Sequence, residues 1–534
     1  MSIPGKLLMI SDLEGCAEFD NANSVKVKQT TILCKTPTFQ ALNLFLKKTG
    51  ENNKVVFMGD YFDKGPNVVN SVNEIVKLSE GNPGKVHIIL GNRDVNKLRF
   101  IYEFDKRLKG CLSKIANPFW KCDVLQAIVA QTQILERMKI IMKDTMGAGP
   151  PAYDPKDQIG LKINKIGDGF DFGNLKTVES YFAYVFSKAF NINVSSQINS
   201  SVEDDVDLQG DDFEFISNCR KLFQMAKIVI YDADYKVLLS HAGGFTRAGS
   251  FILSNKKYYE DILAKLGEIN FDNYYQKIFE AQQALQTAPT EIQLAESATL
   301  IEVLEFHNKL LSDSLKFDDA ELPSSSYILL QAMGLTGSPN YYSFIASCAL
   351  NGGCKLEFNV NNELLAKLSE SSIKFVASGH QPHCTTVPLV YKQGDVVFIA
   401  NDTSNGYRPD SLTPLELKNI PLSYIEIGPS EFGCGVCAIT PLGEIQKASE
   451  TNEIKSLSKD GKTDNYYQKL VVSYNDVTKV PNASDVTKIV KMTGVFKPLT
   501  ALGGKRKSKQ QKGKKTKKSN KTNRKTCRHC RGFY

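Results

Sequence analysis

Five short stretches stand out, because each ends an apolar run on side chains that can bind a cation or a phosphate. They are SDLEG (11–15), GDYFDKG (59–65), GNRD (91–94), SHAGG (240–244) and SGHQPH (378–383). Their carboxylate, carboxamide and imidazole groups are oxygen and nitrogen donors, a set that suits Mn²⁺, Fe²⁺ or Mg²⁺ better than a thiolate-bound metal. Singly, each stretch is weak. A GD or GN pair is an ordinary turn, and a histidine after a strand is more often a satisfied core residue. Their joint order along one chain is far more specific.

Such groups need rigid elements to hold them. KLLMISD, KVVFMGD and KVHIILGN are short apolar runs that each end at a polar loop, and NVVNSVNEIVKLSEG between two of them has helical spacing with Gly81 as its stop. That alternation predicts an α/β sheet with chemistry at its strand ends. KIVIYD and KVLLSHAGG restore the strand pattern over 227–244, and IKFVASGH, DVVFIAND and GVCAITPLGEIQ add later strands. Between these lie helical stretches. DVLQAIVAQTQILERMKIIMKD reads as one amphipathic helix closed by GAGPPAYDP, and a second helical region runs over roughly 255–315. The acidic stretch 203–214, EDDVDLQGDDFE, is expected as a solvated loop. It imitates a calcium loop through Asp205, Asp207 and Gly210, but the twelfth position is Ile216, where a bidentate Glu is required.

The five loops in this order resemble the calcineurin-like metallophosphoesterase superfamily, whose pattern is D-x-H, G-D-x-x-D, G-N-H-D/E, a later His and G-H-x-H. GDYFDKGPNVVNSV and SHAGG are most similar to the phosphoprotein phosphatase and diadenosine-tetraphosphatase-like branch. The resemblance implies a four-layer α/β/β/α sandwich and two divalent ions about 3.5–4 Å apart that clamp a phosphate and activate a water. Carried over residue by residue, Asp12 and Glu14 would hold the first ion, Asp60 would bridge, and Asn92, His241 and His380 would hold the second. Asp63 would lie behind the ligands, and Lys64 stands where that branch commonly has a phosphate-binding Arg. Lys64 would meet phosphate as a point charge rather than a fork. Asp402, in IANDTSNGY, resembles a strand-end Asp near the site, with turn capping as its other reading.

Three departures matter. Glu14 replaces a His, Arg93 replaces the His after Asn92, and GHQPH sets His383 three positions after His380 where the pattern has two. His383 is open as a metal ligand or as a substrate or proton-transfer group. The first two changes can compensate one another: Glu14 removes a positive charge relative to two ions, and Arg93 returns one beside the phosphate. Arg93 cannot act as a general acid near neutral pH. It can clamp phosphate oxygens in a two-pronged contact. A chain built this way should favour leaving groups that depart readily as anions, phosphoanhydrides and aryl phosphates, over phosphoserine. General acid help is worth about 10²–10⁴-fold where it is needed.

The 534 residues are 42% apolar and 23% charged, an ordinary globular balance with length for roughly two to four domains. We divide them into a phosphoesterase domain, 1–500, and a basic low-complexity tail, 501–534. Within the domain the core is 1–100, 225–250 and 370–450, with helical insertions at about 101–224 and 251–369. No apolar run is long enough to span a membrane, MSIPGKLLMISD lacks a signal peptide's apolar core, and the twelve Cys have no framework spacing. These features predict an intracellular protein, cytoplasmic or nuclear, with reduced thiols. The net charge is +8, yet fourteen Lys and Arg fall between Lys505 and Arg531 with no Asp or Glu, so the remainder carries −6. That tail could meet nucleic acid, an anionic membrane surface or an acidic protein, or serve as a nuclear signal or a solubilising end. Cys527, His529 and Cys530 supply at most half of a zinc site. A basic end of this kind also resembles those of giant-virus gene products, which would place the chain in a virion or virus factory.

Two functional readings follow. One is a phosphoesterase acting on a phosphoprotein or a nucleotide. The other is a phosphoesterase-like protein that binds phosphorylated ligands without hydrolysing them and uses its tail as an interaction module.

Overall fold

The computed structural model describes residues 3–13, 25–27, 30–32, 39–48, 51–62, 68–102, 189, 210–243, 256–286, 299–316, 322–334, 344–345, 362–380, 389–402, 422–427, 434–439 and 471–472. Most of the first helical insertion, its long amphipathic helix included, lies outside these residues, as does the basic tail with Cys527, His529 and Cys530.

The strands are β1 Ile3–Ile10, β2 Val25–Val27, β3 Thr30–Ile32, β4 Glu51–Phe57, β5 Val86–Ile88, β6 Val229–Asp232, β7 Val237–Ser240, β8 Phe375–Ser378, β9 Leu389–Gln393, β10 Val396–Ala400, β11 Leu422–Ile427, β12 Cys434–Ile439 and β13 Val471–Val472. They form a six-stranded sheet in the order β13-β12-β11-β1-β4-β5, a five-stranded sheet in the order β6-β7-β8-β10-β9, and a β2-β3 ribbon. Each large sheet has a parallel part, at the β1-β4-β5 edge of the first and at the centre of the second. β1-β4 and β4-β5 run parallel in the first, with Leu8 opposite Val55 and Val56 opposite His87; β7-β8 and β8-β10 run parallel in the second, with Leu239 opposite Ala377 and Ala377 opposite Ile399. Antiparallel strands close the remaining edges.

The period-two alternation decides which face each residue serves. Leu7, Met9, Val56 and Met58 from the first sheet join Val237, Leu239, Phe375, Ala377, Val397 and Ile399 from the second in one buried cluster. Their neighbours Leu8, Ile10, Val55 and Phe57 point the other way, into a cluster with the helices. These helices are α1 Phe39–Leu46, α2 Val68–Gly81, α3 Asn92–Lys97, α4 Gly210–Met225, α5 Lys256–Leu266, α6 Tyr274–Gln286, α7 Leu300–Ser314, α8 Ser325–Gly334 and α9 Asn362–Glu370. The first sheet is contacted by α1, α2 and α4, the second by α7 and α9. The chain is therefore of mixed α/β class, with sheet centres buried on both sides.

Two regions differ from the sequence expectation. The acidic stretch 203–214 is not loop to its end, because α4 begins at Gly210. Phe215, Cys219, Leu222 and Phe223 recur at helical spacing and are fully buried, which carries the helix back into the acidic residues. α4 lies on α2, with Phe223 stacked on Phe62 at 5.5 Å and the Asn218 amide donating to Asn73 Oδ1 at 3.0 Å. α8 lies within the expected helical insertion 251–369 but past the stretch 255–315 read as helix; its residues from Tyr327 to Gly334 are all buried, so it shows no polar face. It braces the segment after Asn92: Gln331 Nε2 donates to the Val95 carbonyl at 3.0 Å and the Tyr327 hydroxyl to the Leu98 carbonyl at 3.2 Å. Among the described residues no helix is long and apolar enough to cross a membrane.

Candidate metal centre

Asp12, Asp60, Asn92, His241, His380 and Asp402 all follow directly on a strand of one of the two facing sheets, within four residues of its end. Three of them have backbone that an L-residue rarely adopts: Asp12, Asp60 and His380 have φ of +49°, +56° and +68°. The left-handed region costs a residue with a Cβ roughly 1–2 kcal/mol. Only two other non-glycine described residues, Lys236 and Ser372, share it, so the strain is concentrated at the strand ends. Hydrogen bonds hold it there. The His380 N–H donates to both oxygens of Asp12, at 3.2 and 3.1 Å, and the Asp60 N–H donates to Asp94 Oδ2 at 2.8 Å. The Ser11 hydroxyl also donates to Asp12.

Close approach of the loops requires glycine, as Gly59 and Gly379 show. A Cβ on Gly59 would lie 2.5 Å from the Gly91 nitrogen and 2.7 Å from His241 Nδ1, and one on Gly379 would collide with Ser11 Oγ and the Asp12 carboxylate. The β4, β5 and β7 ends are thus pressed together, and the β1 and β8 ends likewise.

His241 is the centre of the arrangement and is fully buried. Its Nδ1 lies 2.7 Å from the Met58 carbonyl. A carbonyl can only accept, so Nδ1 carries the proton. Nε2 then turns toward Asn92 Oδ1 at 3.2 Å and Asp60 Oδ1 at 3.3 Å. In the neutral ring this brings a nitrogen lone pair against two oxygen acceptors, and a cation among them, a proton on Nε2 or a metal ion, relieves the repulsion. The His380 ring meets His241 edge-on at 5.0 Å. Asp60, His241 and His380 each offer one ligand atom, all within 4.8 Å of one another. Burial, the His241 ring and the Arg93 charge, in that order, hold the His380 pKa well below the ordinary imidazole value, which keeps the ring in its ligating neutral form. The His241 Nδ1–H···O=C bond is the outer contact that fixes a metal-binding imidazole. The donor set fits a divalent ion with oxygen and nitrogen ligands.

Asp12 is buried beside this group, against the His380 backbone rather than within the set of three. Asp402 is buried at the end of β10, next to Asn401, whose side-chain amide donates to the Met9 carbonyl at 3.1 Å. Arg93 makes an ion pair: Nε lies 3.3 Å from Asp60 Oδ2, while its N–H donates to Asp60 Oδ1 at 3.2 Å. Its guanidinium, expected on a phosphate, rests here on the carboxylate expected to bridge. Glu14, Asp63, Lys64 and His383 lie outside the described residues.

Sequence reasoning missed Asp94. This fully buried carboxylate accepts from four backbone amides, those of Asp60, Tyr61, Phe62 and Gly91, at 2.8–3.2 Å. It thereby ties the loop after β4 to the loop after β5. Burial and the charge of Asp60 push its pKa up to about 7, against the amide donors and His241, which pull it down. The available signal was positional: Asp94 is the third residue of α3, where an acid reaches back to the helix start. Tyr61 was missed too; its buried hydroxyl lies 2.9 and 2.8 Å from the carbonyls of Phe57 and Ile89, joining the same two strand ends.

No family model matches the chain, and no curated protein matches it. Among solved structures it aligns with the cold-active protein-tyrosine phosphatase of the psychrophile Shewanella sp. at 13% identity, over 83% of this chain and 81% of that one, with a TM-score of 0.29. A further structure of a cold-active protein tyrosine phosphatase aligns at 13% identity, over 84% of this chain and 80% of that one, with a TM-score of 0.28. A likeness of that size carries no weight for either fold or chemistry.

Proposed function

We propose that the chain is a metal-dependent phosphoesterase with the four-layer α/β/β/α core of the calcineurin-like superfamily. The observation that carries this reading is the convergence of Asp60 Oδ1, Asn92 Oδ1, His241 Nε2 and the His380 ring at the ends of strands from two facing sheets. Apolar packing between the sheets, with helices against the other faces, supports the layered core. In this reading Asn92, His241 and His380 hold one ion with Asp60, and Asp12 and Glu14 hold the other. A bound divalent ion supplies Lewis acidity and a nucleophilic water at neutral pH.

The chain's own groups do the rest. Asp60 and Asp12 neutralise charge, and His380 is held neutral for ligation. Arg93 brings a permanent positive charge to the edge of the site, 17% exposed, where a phosphate oxygen can reach it. Since this guanidinium gives up no proton, the substrates favoured are nucleotide polyphosphates or aryl esters rather than phosphoserine peptides. The test is turnover of an aryl phosphate by the purified chain with Mn²⁺ or Mg²⁺, alongside elemental analysis. Hydrolysis that depends on the ion and falls steeply with leaving-group pKa is expected. No bound metal and no turnover with any divalent ion would overturn the proposal.

The Arg93–Asp60 ion pair also favours a second reading, phosphate binding without turnover. Its signature is bound metal and bound phosphate with no hydrolysis of any ester.

A further inference from the structure

Resting on the phosphoesterase reading, we infer that Arg93 and the first ion, the one on the Asp12 side, compete for Asp60, so that this ion binds weakly until phosphate draws the guanidinium away. The two oxygens of Asp60 face different partners. Oδ1 looks toward His241 Nε2 at 3.3 Å and accepts the Arg93 N–H at 3.2 Å, while Oδ2 lies 3.3 Å from Arg93 Nε. The His241 side needs nothing moved before a cation sits among Asp60, Asn92, His241 and His380. The other side is different. Its Asp60 oxygen is already engaged by a positive charge, and a second divalent ion there would face both the guanidinium and the first-filled ion across one carboxylate.

The part that must turn is the Arg93 side chain. Its backbone is pinned at the start of α3 by the bond to Asp60, and the side chain is 17% exposed where Asp60 is 4% exposed. A phosphate dianion offers that fork a better partner than a shared carboxylate, because it carries more negative charge and two oxygens for the fork, whereas Asp60 already gives Oδ1 to the backbone N–H of Arg93 and faces His241 with it. When the guanidinium turns to phosphate, Asp60 Oδ2 is released and the local charge falls. Phosphate and the first ion then tighten one another by the same factor, as linkage requires.

Mn²⁺ titrated into the full chain, read by calorimetry and by the electron paramagnetic resonance of single and spin-coupled Mn²⁺, tests this without any turnover. The wild type should bind the ion on the His241 side tightly and the ion on the Asp12 side, second to fill, about tenfold or more weakly, and inorganic phosphate should tighten that second ion about tenfold, within the range usual for coupled sites. Arg93→Gln should tighten the second ion without phosphate and shrink the phosphate effect several-fold. Arg93→Lys, which keeps the charge, should preserve the wild-type order. An unchanged tight ion in both variants shows that they are folded; if Arg93→Gln is not, the wild-type phosphate coupling and Arg93→Lys decide. Two ions of equal affinity in the wild type, or a second ion no tighter in a folded Arg93→Gln, would overturn the competition and leave the phosphoesterase reading standing. A wild type that binds no Mn²⁺ would overturn both.

Discussion

His241 and His307 are both fully buried, and both set Nδ1 2.7 Å from a backbone carbonyl, Met58 in one case and Val303 in the other. They differ in what the second nitrogen meets. Nε2 of His241 faces two oxygens; Nε2 of His307 lies among rings of Tyr259, Phe306 and Phe344 and finds no hydrogen-bond partner among the described residues. The first environment calls for a cation and the second repels one. A buried histidine is therefore a candidate ligand by virtue of the convergence around its free lone pair, and burial alone says nothing.

The sharpest way to break this comparison is to remove each ring. His241→Ala should cost ion affinity by more than the 10–100-fold typical of outer-shell partners, on the order of 10³-fold. His307→Phe should leave ion affinity unchanged. Isothermal titration with Mn²⁺ checks both, and an equal loss in the two variants would mean that His241 acts through packing.

A second pair of variants contrasts polar with apolar support for the site. Asp94→Ala leaves four buried amides without their acceptor and should destabilise the fold by about 4 kcal/mol. Because Asp94 ties the Asp60 loop to the Asn92 loop, ion affinity should also fall about 10–100-fold. Ile75→Ala, in the apolar face of α2, should cost a comparable 2–5 kcal/mol by leaving a cavity. Its ion affinity should not change. Denaturant melts and ion titrations on the same samples separate the two effects; if Ile75→Ala loosened the ion equally, loss of stability would account for both.

The same two elements show what was legible. α2 places Val68, Val72, Ile75 and Val76 at helical spacing, all fully buried, so its period gives it away. α3 cannot be found that way. Of its six residues, Asn92, Asp94, Val95, Asn96 and Lys97 are buried, and only one of these is apolar. Its burial is set by hydrogen bonds to neighbouring loops, which leave no hydrophobic period in the sequence. α8 fails for the opposite reason, being buried all round and so without a polar face. The strand-end candidate ligands were legible because each caps an apolar run. Their convergence was implied only by the resemblance, and what permits it, left-handed Asp12, Asp60 and His380 and glycines that admit neighbouring loops, leaves no period in the sequence. The partner of Arg93 was likewise invisible: the residue type declares a charge, and only the fold shows that Asp60 receives it.

The smallest effect comes from the second buried histidine, His307. Burial lowers the His307 pKa from 6.5 to about 4. The folded state thus resists a proton that the unfolded chain accepts below about pH 6.5, so the unfolded state binds more protons through this window. Stability from this group is complete above pH 6.5 and declines as pH falls toward the folded value. The slope approaches 1.36 kcal/mol per unit. The total is on the order of 3 kcal/mol, about 2 of it lost by pH 5. His380 shifts in the same direction, so the wild type alone cannot separate them. The difference between wild type and His307→Phe can, because His380 is common to both. Urea melts at pH 7, 6, 5 and 4.5 should therefore show His307→Phe gaining on the wild type at each step down. A constant difference across that range would mean that the His307 ring is not held neutral by its surroundings, and that its aromatic cage is open to water.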